Sequence, residues 1–350
     1  MNQKIFLFGC WNKNQCVDGL ENDHRKEVLE LLENEPDDYD FGILLGDNIY
    51  PSKVKKTKKK RGRKLTIKKF LSSNVKKYEE VKDIANRITK DDTDISLHVV
   101  LGNHDVEKEC VMRNQIRHFK SDTSNIYPKN TIFETENAVF LFLNTNNIGE
   151  LLDFLHTFDP EIMNDRWLIL CGHDPIFSYK PKTKKKKGKT KVRLFQKIDE
   201  LPNIFAALTR INYPKMAYVC ADTHNYQLLE VSYSSLRYDF AFPVIVVGTG
   251  GAKPDSLKDI EGNKFYRNET SDLDVDIIDS EAPYGFLEME ISKNTLNINY
   301  KRCESENKAN IHFNRKDEMN YTIDVRRREC DLPKYSCEYE SPERNFLEIC

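Results

Sequence analysis

Residues 41–50 read Phe-Gly-Ile-Leu-Leu-Gly-Asp-Asn-Ile-Tyr. Five uncharged, mostly apolar residues followed at once by Gly46 and Asp47 describe a buried strand that stops at a polar loop. The same form recurs along the chain. Ile5–Phe8 runs into Gly9-Cys10-Trp11-Asn12, and His98–Leu101 into Gly102-Asn103-His104-Asp105. Trp167–Leu170 runs into Cys171-Gly172-His173-Asp174-Pro175, and Ala217–Val219 into Cys220-Ala221-Asp222-Thr223-His224-Asn225. Ala138–Leu143 and Phe242–Val247 are further apolar runs. Amphipathic helical patterns separate several of them: His24–Glu35, which carries Val28, Leu29, Leu31 and Leu32 on one side, Tyr78–Thr89, and Leu194–Arg210 with an interruption at Pro202. Buried strands alternating with such helices predict an α/β fold whose sheet is covered on both faces. Gly285–Ile291 and Thr295–Tyr300, joined by Ser292-Lys293-Asn294, predict a closing hairpin.

The composition sets outer bounds. Of 350 residues, 31% are charged, 39% hydrophobic and 11% aromatic. That excludes a disordered or collagen-like chain. No apolar run approaches the roughly 20 residues a membrane-spanning helix needs, so no membrane partner is expected. The organisation expected is one domain over residues 1–300 and a C-terminal extension over 301–350. The start lacks a small-residue cleavage site, which predicts an intracellular, cytoplasmic protein. Nine cysteines without any Cys-x-x-Cys pair fit reduced thiols in such a compartment.

The net charge of −2 conceals two cationic blocks. Residues 53–69 hold 11 basic residues and no acid, and residues 180–193 hold 9 and no acid. Without them the chain would have 34 basic against 56 acidic residues. Each block follows one of the polar loops, after Tyr50 and after Pro175, so both are expected to rim whatever site the loops form. Lys58, Lys59, Lys60, Arg61, Lys184, Lys185, Lys186 and Lys187 are the candidate contacts for nucleic acid or another polyanion. A nuclear-localisation role for Lys58–Lys64 is the alternative.

In open α/β sheets, ligands bind outside the carboxyl ends of the strands. Five loops would therefore bring together Asp47, Asn103, His104, His173, Asp222 and His224, with Cys10 and Tyr50 beside them. Carboxylate, amide and imidazole in one place suit a pair of transition-metal ions, and such a pair forms a clamp for phosphoryl chemistry.

The order of these loops resembles the calcineurin-like metallophosphoesterases over about residues 3–300, most closely their purple acid phosphatase branch. The resemblance implies a sandwich of two mixed β-sheets flanked by helices and two metal ions of the iron, zinc or manganese type. Gly46-Asp47-Asn48-Ile49-Tyr50 matches the family's Gly-Asp-x-x-Tyr, which implies Asp47 bridging the metals and Tyr50 on the first. Gly102-Asn103-His104-Asp105 matches Gly-Asn-His-Asp/Glu, which implies Asn103 on the second metal and His104 at the leaving group. Gly172-His173-Asp174-Pro175 implies His173 on the second metal, and Ala221-Asp222-Thr223-His224 implies His224 on the first. Two positions depart from the pattern. Cys10 stands where the family has an aspartate, leaving Cys10 as a thiolate or Asn12 through its amide oxygen as the candidate ligand. Asp222 stands where the family has a histidine.

The function expected is metal-dependent hydrolysis of a phosphorylated substrate, as a phosphatase rather than a diesterase. In it His104 acts as general acid and Asp105 orients His104, unless the Asp105 side chain caps the following helix instead. The alternative is a protein that keeps the scaffold, has lost productive metal binding through Cys10 and Asp222, and holds polyanions or a partner by its lysine-rich loops.

Overall fold

The computed structural model describes residues 2–13, 15–17, 20–22, 24–35, 39–50, 60–90, 94–183, 190–195, 201–211, 213–234, 239–255, 257, 265–268, 273–281, 283–307, 310–313 and 319–324. The apolar runs become strands of two mixed sheets, each of eight strands among these residues. In the first, Gln3–Phe8, Phe41–Leu45, Leu97–Val100 and Ser124–Tyr127 lie parallel in that order. Gly285–Ile291 pairs antiparallel on the other side of Gln3–Phe8, and Thr295–Asn307 follows it through a hairpin, as the sequence predicts. In the second, Ala138–Phe142, Trp167–Cys171, Met216–Cys220 and Asp239–Val247 lie parallel. Thr131–Glu134 borders Ala138–Phe142, and Tyr226–Ser234, Leu273–Glu281 and Phe265–Asn268 extend the opposite side, all antiparallel.

The sheets pack face to face. Phe41 of the first sets its ring edge-on against Phe133 and Phe140 of the second, at 5.5 and 5.4 Å. His24–Asn34 packs Val28, Leu29, Leu31 and Leu32 into the core of the first sheet. Ile148–Thr157 and Leu201–Ile211 contribute Leu151, Leu155, Ile204, Phe205 and Leu208 to the outer face of the second, over Leu141, Leu168 and Leu170. Each such side chain removed from water contributes roughly 1.5–3 kcal/mol. The fold is the predicted two-sheet sandwich flanked by helices.

Three elements differ from the sequence reading. The helix expected over Tyr78–Thr89 runs over Lys60–Ile88, so the first basic block enters a helix. Lysine and arginine are good helix formers, and charge alone masked that propensity. Within Leu194–Arg210, Thr190–Phe195 is a strand paired with Ser178–Thr183, and the helix begins at Leu201. Pro202 falls in its first turn, where the missing N–H costs nothing. The strand opening at Thr295 continues through residue 300 to Asn307, and Asn310–Phe313 and Met319–Asp324 pair with it. The first sheet thus reaches into the expected extension; residues 325–350 lie outside the described residues.

Candidate metal centre

The site forms where parallel strands of both sheets end. Gly9, after the first strand of one sheet, donates its N–H to Val247, the last residue of a strand in the other. A Cβ on Gly9 would lie 2.5 Å from the Cβ of Ala221, so only glycine lets the two loops approach. Cys10, Asp47 and Asp222 all have positive φ, at 54°, 53° and 52°. Each follows a strand and each turns its backbone into the left-handed region, which is disfavoured for non-glycine residues. Three such turns at one place mark a site whose backbone is bent to aim side chains.

Those side chains converge. Single ligand atoms of Cys10, Asp47 and His173 lie within 4.8 Å of one another, as do those of His173, Asp174 and Asp222. His173 is fully buried, and its Nδ1–H donates to the Leu45 carbonyl at 2.7 Å. That bond fixes the tautomer and leaves Nε2 facing Asn103 Oδ1 at 3.2 Å and Asp47 Oδ1 at 3.3 Å. His224 is held the same way. Its Nδ1–H donates to the Lys253 carbonyl, and its Nε2 lies 3.4 Å from the Tyr50 hydroxyl.

The electrostatics reflect crowded acceptors. Burial opposes a charge on His173, but Asp47 beside it carries its pKa up to about 9. Burial likewise opposes the charge on Asp47, yet His173 and the His104 N–H hold its carboxyl well below the usual range. Burial, then Asp47 and Asp222, pushes the Cys10 thiol up. Burial, then the charge of Lys13, brings His224 down to about 4, a neutral imidazole at pH 7. Binding a cation here therefore means releasing the protons of Cys10 and His173.

Asn12 points its amide nitrogen at the Asn48 carbonyl and at Asn74 Oδ1, both at 2.8 Å. Its Oδ1 stays buried without a hydrogen-bond partner. An orphaned acceptor, a thiol, carboxylates and two imidazoles with their second nitrogens tied form a donor set that fits metal ions.

Residues 4–226 match the family model described as calcineurin-like phosphoesterase. The chain belongs to that family. Its members bind divalent metals, and the clustered donors are this chain's candidate ligands. A search of curated proteins finds no match. Among solved structures, the chain is similar to PhoD with a TM-score of 0.53 and 10% identity, over 93% of this chain and 70% of that one. GAP50, described as the anchor in the inner membrane complex of Plasmodium, gives 0.48 and 13% over 89% and 88%. Vps29 of Chaetomium thermophilum gives 0.34 and 10% over 92% and 98%. At these identities the PhoD likeness bears on fold alone.

Within this phosphoesterase, His104 and Asp105 have different tasks. The half-exposed ring of His104 stands 4.8 Å from that of Tyr50, and its Nδ1–H donates to Glu107 at 2.5 Å. Asp105 does not orient it. Its buried carboxylate accepts the N–H groups of Gly102 and Ile49 and both the backbone and side-chain N–H of Asn48. Asp105 therefore caps the short 103–106 helix and ties it to the Asp47 loop. The orienting partner of His104 is Glu107, one turn on, which the motif reading did not single out.

Among the described residues, two cations stand beside the centre. Lys180 Nζ lies 3.4 Å from Asp222, and Lys13 Nζ sits 4.9 Å from the centre of the Tyr50 ring. Sequence reading placed Lys180 in a block without assigning it to the site, and gave no role to Lys13, Asp174 or Asn74. Of the candidate polyanion contacts, Lys60 and Arg61 open the Lys60–Ile88 helix. Lys58, Lys59, Lys184, Lys185, Lys186 and Lys187 lie outside the described residues. Among the described residues no helix is long and apolar enough to cross a membrane.

Proposed function

We propose that this chain is a metal-dependent phosphomonoesterase of the purple acid phosphatase type, with two ions of the iron, zinc or manganese class. The observation that carries the reading is the convergence of Cys10, Asp47, His173 and Asp222 through three left-handed turns, with His104 beside them. Cys10, Tyr50 and His224, with Asn12 through its orphaned oxygen, would hold the first ion. Asn103, His173 and Asp222 would hold the second, and Asp47 would bridge them. Ions held there would supply Lewis-acid polarisation of phosphoryl oxygens and a more acidic water.

The chain's own groups do the rest. Leu45 and Lys253 lock the two imidazoles so that Nε2 faces inward. Tyr50 closes one side of the centre against His104 and His224. The ammonium groups of Lys13 and Lys180 add positive charge where a phosphate dianion would enter. As the P–O bond to the leaving group breaks, His104 gives its Nε2 proton to the departing oxygen, with Nδ1–H still on Glu107.

The test is hydrolysis of p-nitrophenyl phosphate beside its bis-ester, with manganese, zinc, iron or magnesium supplied. Metal-dependent turnover favouring the monoester, falling by about 10²–10⁴ in His104→Ala, is expected. Preference for the bis-ester would make the protein a diesterase. Equal rates in wild type and His104→Ala with every metal would leave the impaired-scaffold reading.

A further inference from the structure

Two elements that grow from the rim of the centre carry cations in rows. The first is the antiparallel ribbon Ser178–Thr183 with Thr190–Phe195. Its register pairs Lys180 with Arg193 and Lys182 with Lys191. Side chains directly opposite share a face, and so do residues two apart on one strand. Lys180, Lys182, Lys191 and Arg193 therefore occupy one face, about 6.7 Å between rungs. The ribbon begins at the centre, where two residues of its first strand reach the loop that holds Asp222. Ser178 Oγ bonds Thr223 Oγ1 at 2.7 Å, and Lys180 Nζ reaches Asp222. Tyr179, on the opposite face, is buried in the core.

The second element is the leading half of the Lys60–Ile88 helix. Asn74 anchors it to Asn12 at the centre. From Asn74 back to Lys60 the helix extends about 21 Å at 1.5 Å per residue. Lys60, Arg61, Arg63, Lys64, Lys68 and Lys69 lie on that length, and the first acid of the helix is Glu79.

Both arrangements are unfavourable by themselves. Like charges directly opposite weaken a ribbon, and like charges four apart weaken a helix. Cations in the first turn also oppose the helix dipole. A row of anions would relieve all three. A small substrate reaches only the Lys180 end, whereas cations up to about 21 Å from Asn74 need a long, regularly charged ligand. A phosphopeptide brings isolated phosphates, while a nucleic-acid strand brings one per nucleotide.

We propose that the ribbon and the helix grip a nucleic-acid strand by its phosphates and lead its terminal phosphate into the centre. The inference rests on the phosphomonoesterase reading for what happens there. Water would add to the terminal phosphorus, the P–O bond to the sugar would break, and the sugar oxygen would take the His104 proton. The described parts of both elements offer few aromatic rings for base stacking, so binding should be indifferent to base sequence.

The test is fluorescence anisotropy of an end-labelled, 5′-phosphorylated oligodeoxythymidylate on the full chain over a series of salt concentrations. For Lys182→Gln/Lys191→Gln/Arg193→Gln, the slope of log affinity against log salt should fall by about 2, at roughly 0.7 per charge on a single strand. Lys182→Arg/Lys191→Arg should keep the wild-type slope. An unchanged slope in the neutralised variant would overturn the proposal. So would equal loss in the arginine variant, or tight binding of inorganic polyphosphate or a phosphopeptide with none of the strand. Strand binding with the expected slopes, but no metal-dependent turnover of p-nitrophenyl phosphate, would sink the phosphoesterase reading and leave the grip standing.

Discussion

Asp105 shows how a residue beside the chemistry can act purely through architecture. Four N–H groups from Gly102, Asn48 and Ile49 meet on one fully buried carboxylate. Asp105→Ala would orphan them in a dry interior, where each unsatisfied group costs about 1–3 kcal/mol. A loss of about 3 kcal/mol or more is expected in urea denaturation. Asp105→Asn should lose less, since its amide oxygen still accepts. In the sequence, Gly-Asn-His-Asp made the importance of this residue visible but not its task. The choice between orienting His104 and capping a helix depended on where the carboxylate points. Glu107 was hidden for the same reason: an acid one helical turn after a histidine is ordinary until the ring is seen to lean on it.

At the scale of elements, the strand-then-loop pattern was legible because buried parallel strands are continuous apolar runs. The loops were legible because their ligands sit within a few residues of each strand end. The boundaries of charged elements were not. Lysine-rich segments carry no apolar period, so the helical turns from Lys60 and the strand from Thr190 went unread, and Leu194 and Phe195 were assigned to the start of a helix. Asp222 and Cys10 were legible as departures, yet their shared left-handed backbone was not written in residue type. The junctions are also tight. A Cβ on Gly102 would lie 2.2 Å from the Asp47 backbone nitrogen and 2.5 Å from its Oδ1. Gly102→Ala should therefore push the third loop off the second, weakening metal retention at least tenfold while far-ultraviolet circular dichroism stays near wild type. Retention equal to wild type would show that the two loops need not touch.

Across the whole molecule, the two sheets meet over a histidine. His98 is fully buried among Phe41, Phe133 and Phe142, with Nδ1 on the Tyr127 hydroxyl. Burial pushes its pKa from 6.5 down to about 3. The unfolded chain thus takes up a proton near pH 6.5 that the folded chain refuses until about pH 3. Stability conferred by the neutral ring is complete above 6.5 and is lost as pH falls toward 3, at up to about 1.4 kcal/mol per pH unit. In His98→Phe, urea denaturation between pH 6 and 4 should show a slope shallower by about that amount; equal slopes would mean the sheets part to admit the proton. The same sandwich holds the five loops in one place, so that their metal donors converge. Cobalt(II) titration of the metal-free full chain tests that convergence most directly, because cobalt reports thiolate ligation by a charge-transfer absorption. Two cobalt ions should bind per chain, with the absorption lost in Cys10→Ser and the stoichiometry reduced in Asp47→Asn. Failure to retain cobalt, or retention unaffected by either substitution, would contradict the convergence.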